Sequence, residues 1–252
     1  MYHTTGLTRD EIVDVCARLY ASGLRAGRDG YPPILGLYRS VKVAVTYARR
    51  NSVQWELAEY YEVSQSTISR AVCVITPALA EVLRPFVPTA DELSPDEVLI
   101  FDGTLVPCWS WKDHPELYSG KHRETGLNLQ VACDMHLGLR WISDPVDGRH
   151  HDMEALRVSH VLDMVDPGNW LGDKAYVGAG MVTPIKKKPH RKHHLDWERE
   201  FNTTINKIRW RIEQVIANLK TWRILHTDYR RPLGTFRETI SAVVGLHFYR
   251  MS

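Results

Sequence analysis

The sequence is poor in cysteine and has no long apolar run. Its four cysteines, Cys16, Cys73, Cys108 and Cys133, form no Cys-x-x-Cys pair, which disfavours a zinc knuckle and a disulfide-stapled scaffold. No uninterrupted apolar run approaches the roughly 18 residues of a membrane span, and the first residues lack the apolar core of a signal peptide. We therefore expect a cytoplasmic protein without a membrane partner, whose cysteines are packed thiols.

The sequence also has little net charge, formally +2, but its charges are unevenly distributed. Residues 1–90 carry 10 Lys and Arg against 8 Asp and Glu, residues 91–181 carry 7 against 16, and residues 182–252 carry 15 against 6. Acids gathered at one place could bind a divalent metal ion, and bases around them could bind a polyanion. Two solvated faces of opposite charge would give the same distribution.

Residues 7–84 have the apolar spacing of a helical domain. Leu57, Ala58 and Tyr61 share one face of a short predicted helix, a turn follows at 62–64, and Ser64 is a suitable N-cap for the next helix. Helix, tight turn and helix is the order of a helix-turn-helix motif, although a small three-helix bundle has it too. As a DNA reader, the second helix would present these residues to the major groove: Gln65, Ser66, Thr67, Ser69 and Arg70.

Residues 85–97 have the proline-rich, acidic composition of a linker, and beyond them the apolar period changes. We therefore predict a helical domain over 1–91 and a second domain over 92–252. Longer periodic segments predict helices over 152–165, over 195–222 and after Pro232. The second domain is thus expected to be α/β, with a mixed five-stranded sheet, flanking helices and strands at 98–101, 127–133, 139–142, 170–172 and 181–185.

Two aspartates, Asp102 and Asp173, follow apolar runs that predict strands. If those strands are neighbours the carboxylates meet, and close carboxylates repel each other unless a cation such as Mg²⁺ lies between them. Either aspartate alone could simply begin a turn. Four residues of the helix predicted over 195–222 fall on one side of it: Asn206, Arg209, Glu213 and Lys220. They combine an acid that could bind a metal ion with bases that could contact phosphates. An Arg–Glu surface pair is the simpler explanation.

Taken together, these segments resemble the DDE transposases of bacterial insertion sequences, especially their PIF/Harbinger-like branch. The resemblance rests on Asp102-Gly-Thr104, on Gly172-Asp-Lys-Ala-Tyr176 and on the Asn-x2-Arg-x3-Glu-x6-Lys series that begins at Asn206. Gly120-Lys-His122 and Gly148-x-x-His151-Asp152 occur between them in the order typical of that family. Some relatives carry Tyr where this chain has Asn206, but Asn also occurs there in the Harbinger-like branch.

This resemblance implies an RNase H-like catalytic domain behind an N-terminal helix-turn-helix domain. It implies that Asp102, Asp173 and Glu213 are the catalytic acids and hold two Mg²⁺ or Mn²⁺ ions per active site. It also implies a transposase that cuts double-stranded DNA at the ends of its own element and joins the ends to target DNA. A DNA-bound homodimer associated with the nucleoid is the expected working form.

Several residues are expected to support this chemistry. The resemblance makes Arg209 and Lys220 the basic partners of Glu213, and the basic loop at Lys186, Lys187 and Lys188 is expected to contact the phosphate backbone. A solvated loop would look the same. Asp152 is a possible additional acid near the site, and the simpler prediction is that it caps the helix that begins there.

Three other functions remain open from the sequence. The chain could be a catalytically inactive, transposase-derived DNA-binding protein or regulator. It could be a nuclease of the same fold that cuts without joining. A helix-turn-helix repressor with an effector domain is the third, but it leaves the three acids without a function.

Overall fold

The structure is a computed structural model that describes residues 2–109 and 113–252. It divides into two compact units, one of residues 1–87 with 220–252 and one of residues 88–219. In chain order the elements are α1 Tyr2–Thr5, α2 Arg9–Ala21, α3 Gly36–Arg50, α4 Gln54–Tyr61, α5 Gln65–Leu83, β1 Ile100–Pro107, β2 Tyr118–Ser119, β3 Glu124–Cys133, β4 Leu139–Ile142, β5 Val146–Asp147, α6 Asp152–Val158, α7 Val161–Met164, α8 Asp196–Leu219 and α9 Phe236–Tyr249.

The first unit is helical, and local sequence signals explain where its helices begin. Thr8 and Glu11 form a capping box at the start of α2, and the Ser64 side chain accepts a hydrogen bond from the Thr67 N–H at the start of α5. The predicted turn between α4 and α5 is present, with Glu62 in the left-handed backbone region at φ 55°. Two helices joined by a tight turn are therefore present, and their assignment as a helix-turn-helix stays a prediction.

The C-terminal helix α9 also belongs to this first unit, where it packs against α5. Gly245 permits the close approach, because a Cβ there would lie 2.8 Å from the Leu83 Cβ. The observed units thus differ from the predicted extents of 1–91 and 92–252. The acidic linker does mark a change of unit near residue 88, but residues 220–252 return to the helical unit because the apolar face of α9 is buried there.

Helix α5 lies within a segment, Gln65–Glu92, that is long and apolar enough to cross a membrane by length and composition. Uninterrupted apolar runs do not reveal this segment, because polar residues, charged residues such as Arg70 and Glu81, and prolines break it up. One such helix is weak evidence for a membrane span, since the core helix of a soluble protein passes the same test. In the structure Ile68, Ile75 and Leu79 of α5 are buried.

The second unit contains a five-stranded antiparallel sheet with helices around it. Strand β3 is its centre, pairing with β1 along its length and with β2, β4 and β5 over shorter stretches. Phe101 and Trp170 stack in the core with ring centroids 4.4 Å apart. This arrangement confirms a mixed α/β domain with five strands and flanking helices, but the predicted mixed sheet is wrong, because every described strand pair is antiparallel and the parallel pairing is reduced to isolated bridges.

The strands themselves differ from the predicted set. Strand β1 continues through Asp102 to Pro107 instead of ending at the aspartate, because β3 offers it partners as far as Gly126. The predicted strands at 170–172 and 181–185 are reduced to isolated parallel bridges from Leu171 to Ile100 and to Val182. The apolar pattern does not predict the two short strands β2 and β5.

Two predicted helices are also shorter than expected. The segment 152–165 breaks into α6 and α7 at His160, whose backbone is left-handed with φ 57°. The long helix α8 ends at Leu219, and Trp222 begins a separate short turn. Within α8, Trp197 and Phe201 of the predicted apolar stripe are exposed, whereas Ile205, Ile212, Val215 and Leu219 are buried.

Candidate active site

Asp102 and Asp173 lie side by side on neighbouring segments of the second unit. Leu171 forms a parallel bridge with Ile100, since Phe101 N–H donates to Leu171 O (2.8 Å) and Leu171 N–H donates to Leu99 O (2.7 Å). Each aspartate follows its bridge residue by two positions, and residues two apart point to the same face of a strand. Because paired segments lie about 4.8 Å apart, the two acids are near each other, and the charge of Asp173 acts on Asp102.

Burial and the neighbouring charges shift the acidity of Asp102. Burial raises its pKa to about 6, and the negative charge of Asp173 acts in the same direction. The nearby Arg209 guanidinium opposes this shift, as does a hydrogen bond from Gly103 N–H to Asp102 Oδ1 (2.9 Å). Two carboxylates that repel each other in a partly buried site are suited to a divalent cation, which would relieve that repulsion.

Arg209 is brought to Asp102 by helix α8, which packs on β1 and β3. Its Nη2 lies 3.6 Å from Asp102 Oδ2, and both side chains are largely buried. The buried Arg209 Nε has no hydrogen-bond partner among the described residues. An unsatisfied buried donor is costly, so an oxygen-rich ligand at this position would be stabilised by Arg209.

Asp173 is held by the turn that follows it. Its Oδ1 accepts a hydrogen bond from Ala175 N–H (2.6 Å), which caps the short turn Lys174–Tyr176. That turn carries Tyr176 into the core, where its hydroxyl donates to Gln130 Oε1 (2.7 Å). The Asp173 carboxylate is therefore held by its own turn, and the backbone just before it is held by the pairing of Leu171 with Ile100.

A chain of hydrogen-bonded side chains continues from Tyr176 to Lys121. Gln130 Nε2 donates to Asn128 Oδ1 (3.2 Å), and Asn128 Nδ2 donates to Asp152 Oδ1 (3.2 Å). Asp152 Oδ2 accepts a 2.6 Å hydrogen bond from Lys121 Nζ. The prediction that Asp152 caps its helix is wrong, because His151 occupies the N-cap position of α6 and the Asp152 side chain is buried in this network.

Lys121 completes the charge balance around the acids. Burial lowers its pKa, but the hydrogen bond to Asp152 and the charges of Asp152, Asp102 and Asp173 outweigh that effect, so the pKa of Lys121 is raised. The pKa of the Tyr176 hydroxyl is also raised, by burial first and by the same three carboxylates. Sequence reasoning missed Lys121 as a site residue. It also missed Asn128 and Gln130, although two amides on one face of an otherwise apolar strand were a usable signal.

Glu213 is placed differently from the other two predicted catalytic acids. It lies on α8 one turn after Arg209, and its side chain is exposed. Over residues 2–109 and 113–252, no group of three or more His, Cys, Asp or Glu side chains is close enough together to hold a metal ion. The three-acid centre therefore stays a prediction, and the structure supports the pair Asp102 and Asp173.

A cavity of about 310 Å³ opens beside Asp173. The Ser119–His122 turn forms one wall, and the segment Gly148–Met153 forms the other. Lys121 and Asp152 line it together with Asp173. The candidate site thus combines two adjacent acids, two cations and an open space beside Asp173 and Lys121.

Comparison with known proteins places this geometry in a family. Residues 101–247, which contain Asp102, Asp173 and Glu213, match the DDE superfamily endonuclease family. The chain belongs to this family. Membership implies the use of a divalent metal ion in general.

Two relatives align with this DDE family member over most of its length and most of their own. It is 31% identical over 222 residues to the "Putative transposase for insertion sequence element IS112" of Streptomyces albus G, covering 88% of this chain and 83% of the relative. It is 25% identical over 235 residues to the "Probable transposase for insertion sequence element IS702" of Microchaete diplosiphon, covering 89% and 84%. No solved structure is significantly similar to the chain.

The residues of this DDE family member predicted to read DNA lie at the start of α5. The Gln65 side chain donates to Gln54, and Ser66 and Thr67 share hydrogen bonds with Ser64. Exposed Arg70 donates to Gly27 O (3.0 Å), and Ser69 is half-buried. These contacts order the helix start, and DNA reading by the five residues stays a prediction.

The remaining predicted site residues fall in three places. Lys186, Lys187 and Lys188 are exposed in a loop before α8, consistent with either a DNA contact or a solvated loop. Asn206 is exposed on α8. Lys220 directly follows the last residue of α8 and belongs to the helical unit, and its place on one helix face with Glu213 stays a prediction.

Proposed function

We propose that this protein is a transposase that cuts and joins DNA at the ends of its own mobile element by phosphoryl transfer. The observation that carries the proposal is the pairing of Asp102 and Asp173 on adjacent segments, inside the region that matches the DDE endonuclease family. Both relatives are named as transposases of insertion sequences over nearly their whole length, which supports the same function. An RNase H-like fold and the PIF/Harbinger-like branch are part of this proposal.

Asp102 and Asp173 would hold the divalent metal, Mg²⁺ or Mn²⁺, with Glu213 reaching it from α8. When bound, two such ions would supply an activated water and stabilise the leaving 3′ oxygen. The protein's own contribution is to keep both carboxylates rigid and partly buried, through strand pairing and the Ala175 N–H. Arg209 would then turn from Asp102 towards the phosphate oxygens of DNA, which satisfies its donors.

The helical unit would recognise the element end. Helices α4 and α5 have the local form of a helix-turn-helix, and we assign base contacts to Gln65, Ser66, Thr67, Ser69 and Arg70. Lys186 to Lys188, with Lys220, would contact the phosphate backbone. Because two element ends must be joined, the working form would be a homodimer on double-stranded DNA, within the cytoplasm at the nucleoid and without a membrane partner.

The test is cleavage of labelled duplex DNA carrying the element's own end, with Mg²⁺ or Mn²⁺. We expect metal-dependent cleavage by the native protein and none by Asp102→Asn, whereas DNA binding is kept. Asp163→Asn is the matched control, because Asp163 is an exposed acid of the same unit whose side chain contacts His160. Cleavage by Asp102→Asn at the native rate would overturn the assignment.

The same assay separates the proposal from its alternatives. Equal binding by both proteins with no cleavage would favour a catalytically inactive regulator derived from a transposase. That alternative is not favoured, since the acid pair is intact and the relatives are named as transposases. Cleavage with no transfer of the 3′ end to target DNA would instead indicate a nuclease of the same family.

A further inference from the structure

Lys121 is anchored by one of the most buried carboxylates of the second unit. Its Nζ lies 2.6 Å from Asp152 Oδ2, and the Asp152 side chain is 3% exposed whereas that of Lys121 is 48% exposed. The ammonium therefore has a buried partner on one side and open space on the other. An ammonium has three N–H donors, and Asp152 accepts one of them.

The position of Asp152 is itself fixed by its surroundings. Asn128 donates to Asp152 Oδ1, and the chain through Gln130 ends at Tyr176 in the turn that follows Asp173. On the other side Asp152 lies against the backbone of Gly103, where a Cβ would come within 2.3 Å of Asp152 Oδ1. Asp152 is thus tied to the residue after Asp102 and to the turn after Asp173.

Stability alone does not explain such a pair. Burying a carboxylate to pair it with a lysine costs desolvation that the attraction between the charges often fails to repay, and apolar residues of similar size would serve a core equally well. Here the pair stands at the two proposed catalytic acids, whose charges both act on Lys121. This placement points to a ligand that the ammonium is held ready to bind.

The cavity beside Asp173 gives the class of that ligand. Lys121 and Arg149 are the cations of its lining, the acids Asp152 and Asp173 balance their charge, and His122, His150 and His151 add ring nitrogens. Asp152 accepts only one of the Lys121 donors and Asp173 is a proposed metal ligand, so the remaining donors on this concave surface of about 310 Å³ favour an anion. The anion that a DNA-cutting site must accommodate beside its acids is a backbone phosphate.

We propose that Lys121 binds a phosphate oxygen of the DNA strand that is cut, in the cavity beside Asp173, and that Asp152 is a positioning residue that holds Lys121 there. This inference rests on the proposed function, because it names a substrate contact of the same site. It makes Asn128, Gln130 and Tyr176 a support that links this contact to the two catalytic acids.

The first test compares Lys121→Ala, Lys121→Arg and the control Lys207→Ala. Lys207 is exposed on α8 two residues from Arg209, so it faces away from Asp102. We expect Lys121→Ala to lower kcat/KM for cleavage of an element-end duplex on the order of 100-fold, as for removal of one preorganised donor. Lys121→Arg should restore most of the activity, and Lys207→Ala should leave kcat/KM unchanged.

A binding measurement in EDTA tests the contact without any cleavage. The slope of log K against log[salt] for the same duplex should become shallower by about 0.9 in Lys121→Ala, the contribution of one phosphate contact. Lys121→Arg should keep the native slope. An unchanged slope in Lys121→Ala would overturn the phosphate contact, whether or not the native protein cleaves.

The positioning function of Asp152 is tested by a double-mutant cycle. If Asp152 acts through Lys121, Asp152→Asn should lower kcat/KM, and adding it to Lys121→Ala should cause no further decrease. Additive decreases would overturn the positioning function. Far-UV circular dichroism reports whether Asp152→Asn folds. If that variant does not fold, the neutral variant Asn128→Ser, which removes a donor to Asp152 without touching Lys121, offers a second cycle.

Failure of this inference can be told apart from failure of the proposed function. If the native protein cleaves and Asp102→Asn does not, the proposed function is supported. If Lys121→Ala then has the same kcat/KM and salt slope as the native protein, only the lysine contact is rejected. Absence of cleavage by the native protein would reject the proposed function. The salt slope in EDTA would still decide whether Lys121 contacts DNA.

Discussion

At the residue scale, the site depends on an aspartate kept in an unfavourable charged state. Asp102 is largely buried beside Asp173, and Arg209 offsets only part of the cost, so its pKa rises to about 6. The residue that binds a cation best is one whose charge is poorly compensated without it. The hydrogen-bond network from Tyr176 to Lys121 holds the turn after Asp173 in place in the absence of a cation.

The poorly compensated charge of Asp102 predicts that the free energy of unfolding of the metal-free protein depends on pH. The raised pKa means that the folded state binds more protons than the unfolded chain between about pH 4 and pH 6. The stability that Asp102 contributes is therefore complete below this window and is lost as pH rises through about 6. We expect Asp102→Asn to be more stable than the native protein at pH 7.5 in EDTA, by up to about 3 kcal/mol.

The measurement is urea unfolding followed by circular dichroism at pH 4 and at pH 7.5. The advantage of Asp102→Asn should shrink at pH 4, where Asp102 is largely protonated, and Asp163→Asn should show no such trend. A variant less stable than the native protein at pH 7.5 would contradict the burial of an uncompensated charge.

At the element scale, α8 and the loop before it divide the basic residues between two surfaces. Helix α8 brings Arg209 to Asp102, whereas the loop keeps Lys186, Lys187 and Lys188 exposed. The loop is anchored at its start, where Ile185 N–H donates to Asn202 Oδ1 (2.7 Å). At its end Arg191 pairs with buried Glu198 (3.0 Å). Three lysines are thus displayed on a segment that is fixed at both ends.

The loop therefore predicts a salt effect of its own. Replacing Lys186 to Lys188 with alanine should flatten the dependence of log K on log[salt] by about 0.9 for each phosphate that these lysines neutralise. Cleavage at saturating DNA should change little, because none of the three is placed among the acids. An unchanged slope in a filter-binding titration would show that the loop is merely solvated.

At the scale of the whole molecule, the helical unit is built from two segments that are far apart in the sequence. Residues 220–252 come after the catalytic region in sequence but form part of the helical unit. Phe236, Ile240 and Val243 of α9 are buried there, and α9 packs on α5. The helical unit consequently needs both ends of the chain.

This predicts that a fragment of residues 1–91 will not fold by itself. Without α9 the apolar face of α5 is exposed, and the burial of several large side chains, each contributing about 1.5–3 kcal/mol, is removed. Joining residues 1–87 to 220–252 through a long Gly/Ser linker should restore a cooperative thermal transition. Circular dichroism melting of both fragments checks this, and a cooperative melt of the 1–91 fragment would count against the two-ended unit.

Short-range features and the order of motifs follow from the amino-acid sequence alone. Ser64 as an N-cap, the turn at Glu62, the start of α8 and the presence of a mixed α/β domain follow from local preference and period, which neighbouring residues decide. Family membership was also readable, because Asp102 and Asp173 stand in motifs whose order is specific. The placement of Glu213 and the use of the α5 face for DNA remain predictions.

Long-range packing decides which residues meet. Sequence spacing makes Asp152 a helix cap and shows that Asn128 and Gln130 share one side of a strand, but it does not show what covers that side. Burial joins them to Lys121 and Tyr176, which lie far apart in the chain. Likewise, long-range packing, and no local signal, brings α9 to the helical unit and carries β1 past Asp102 along β3.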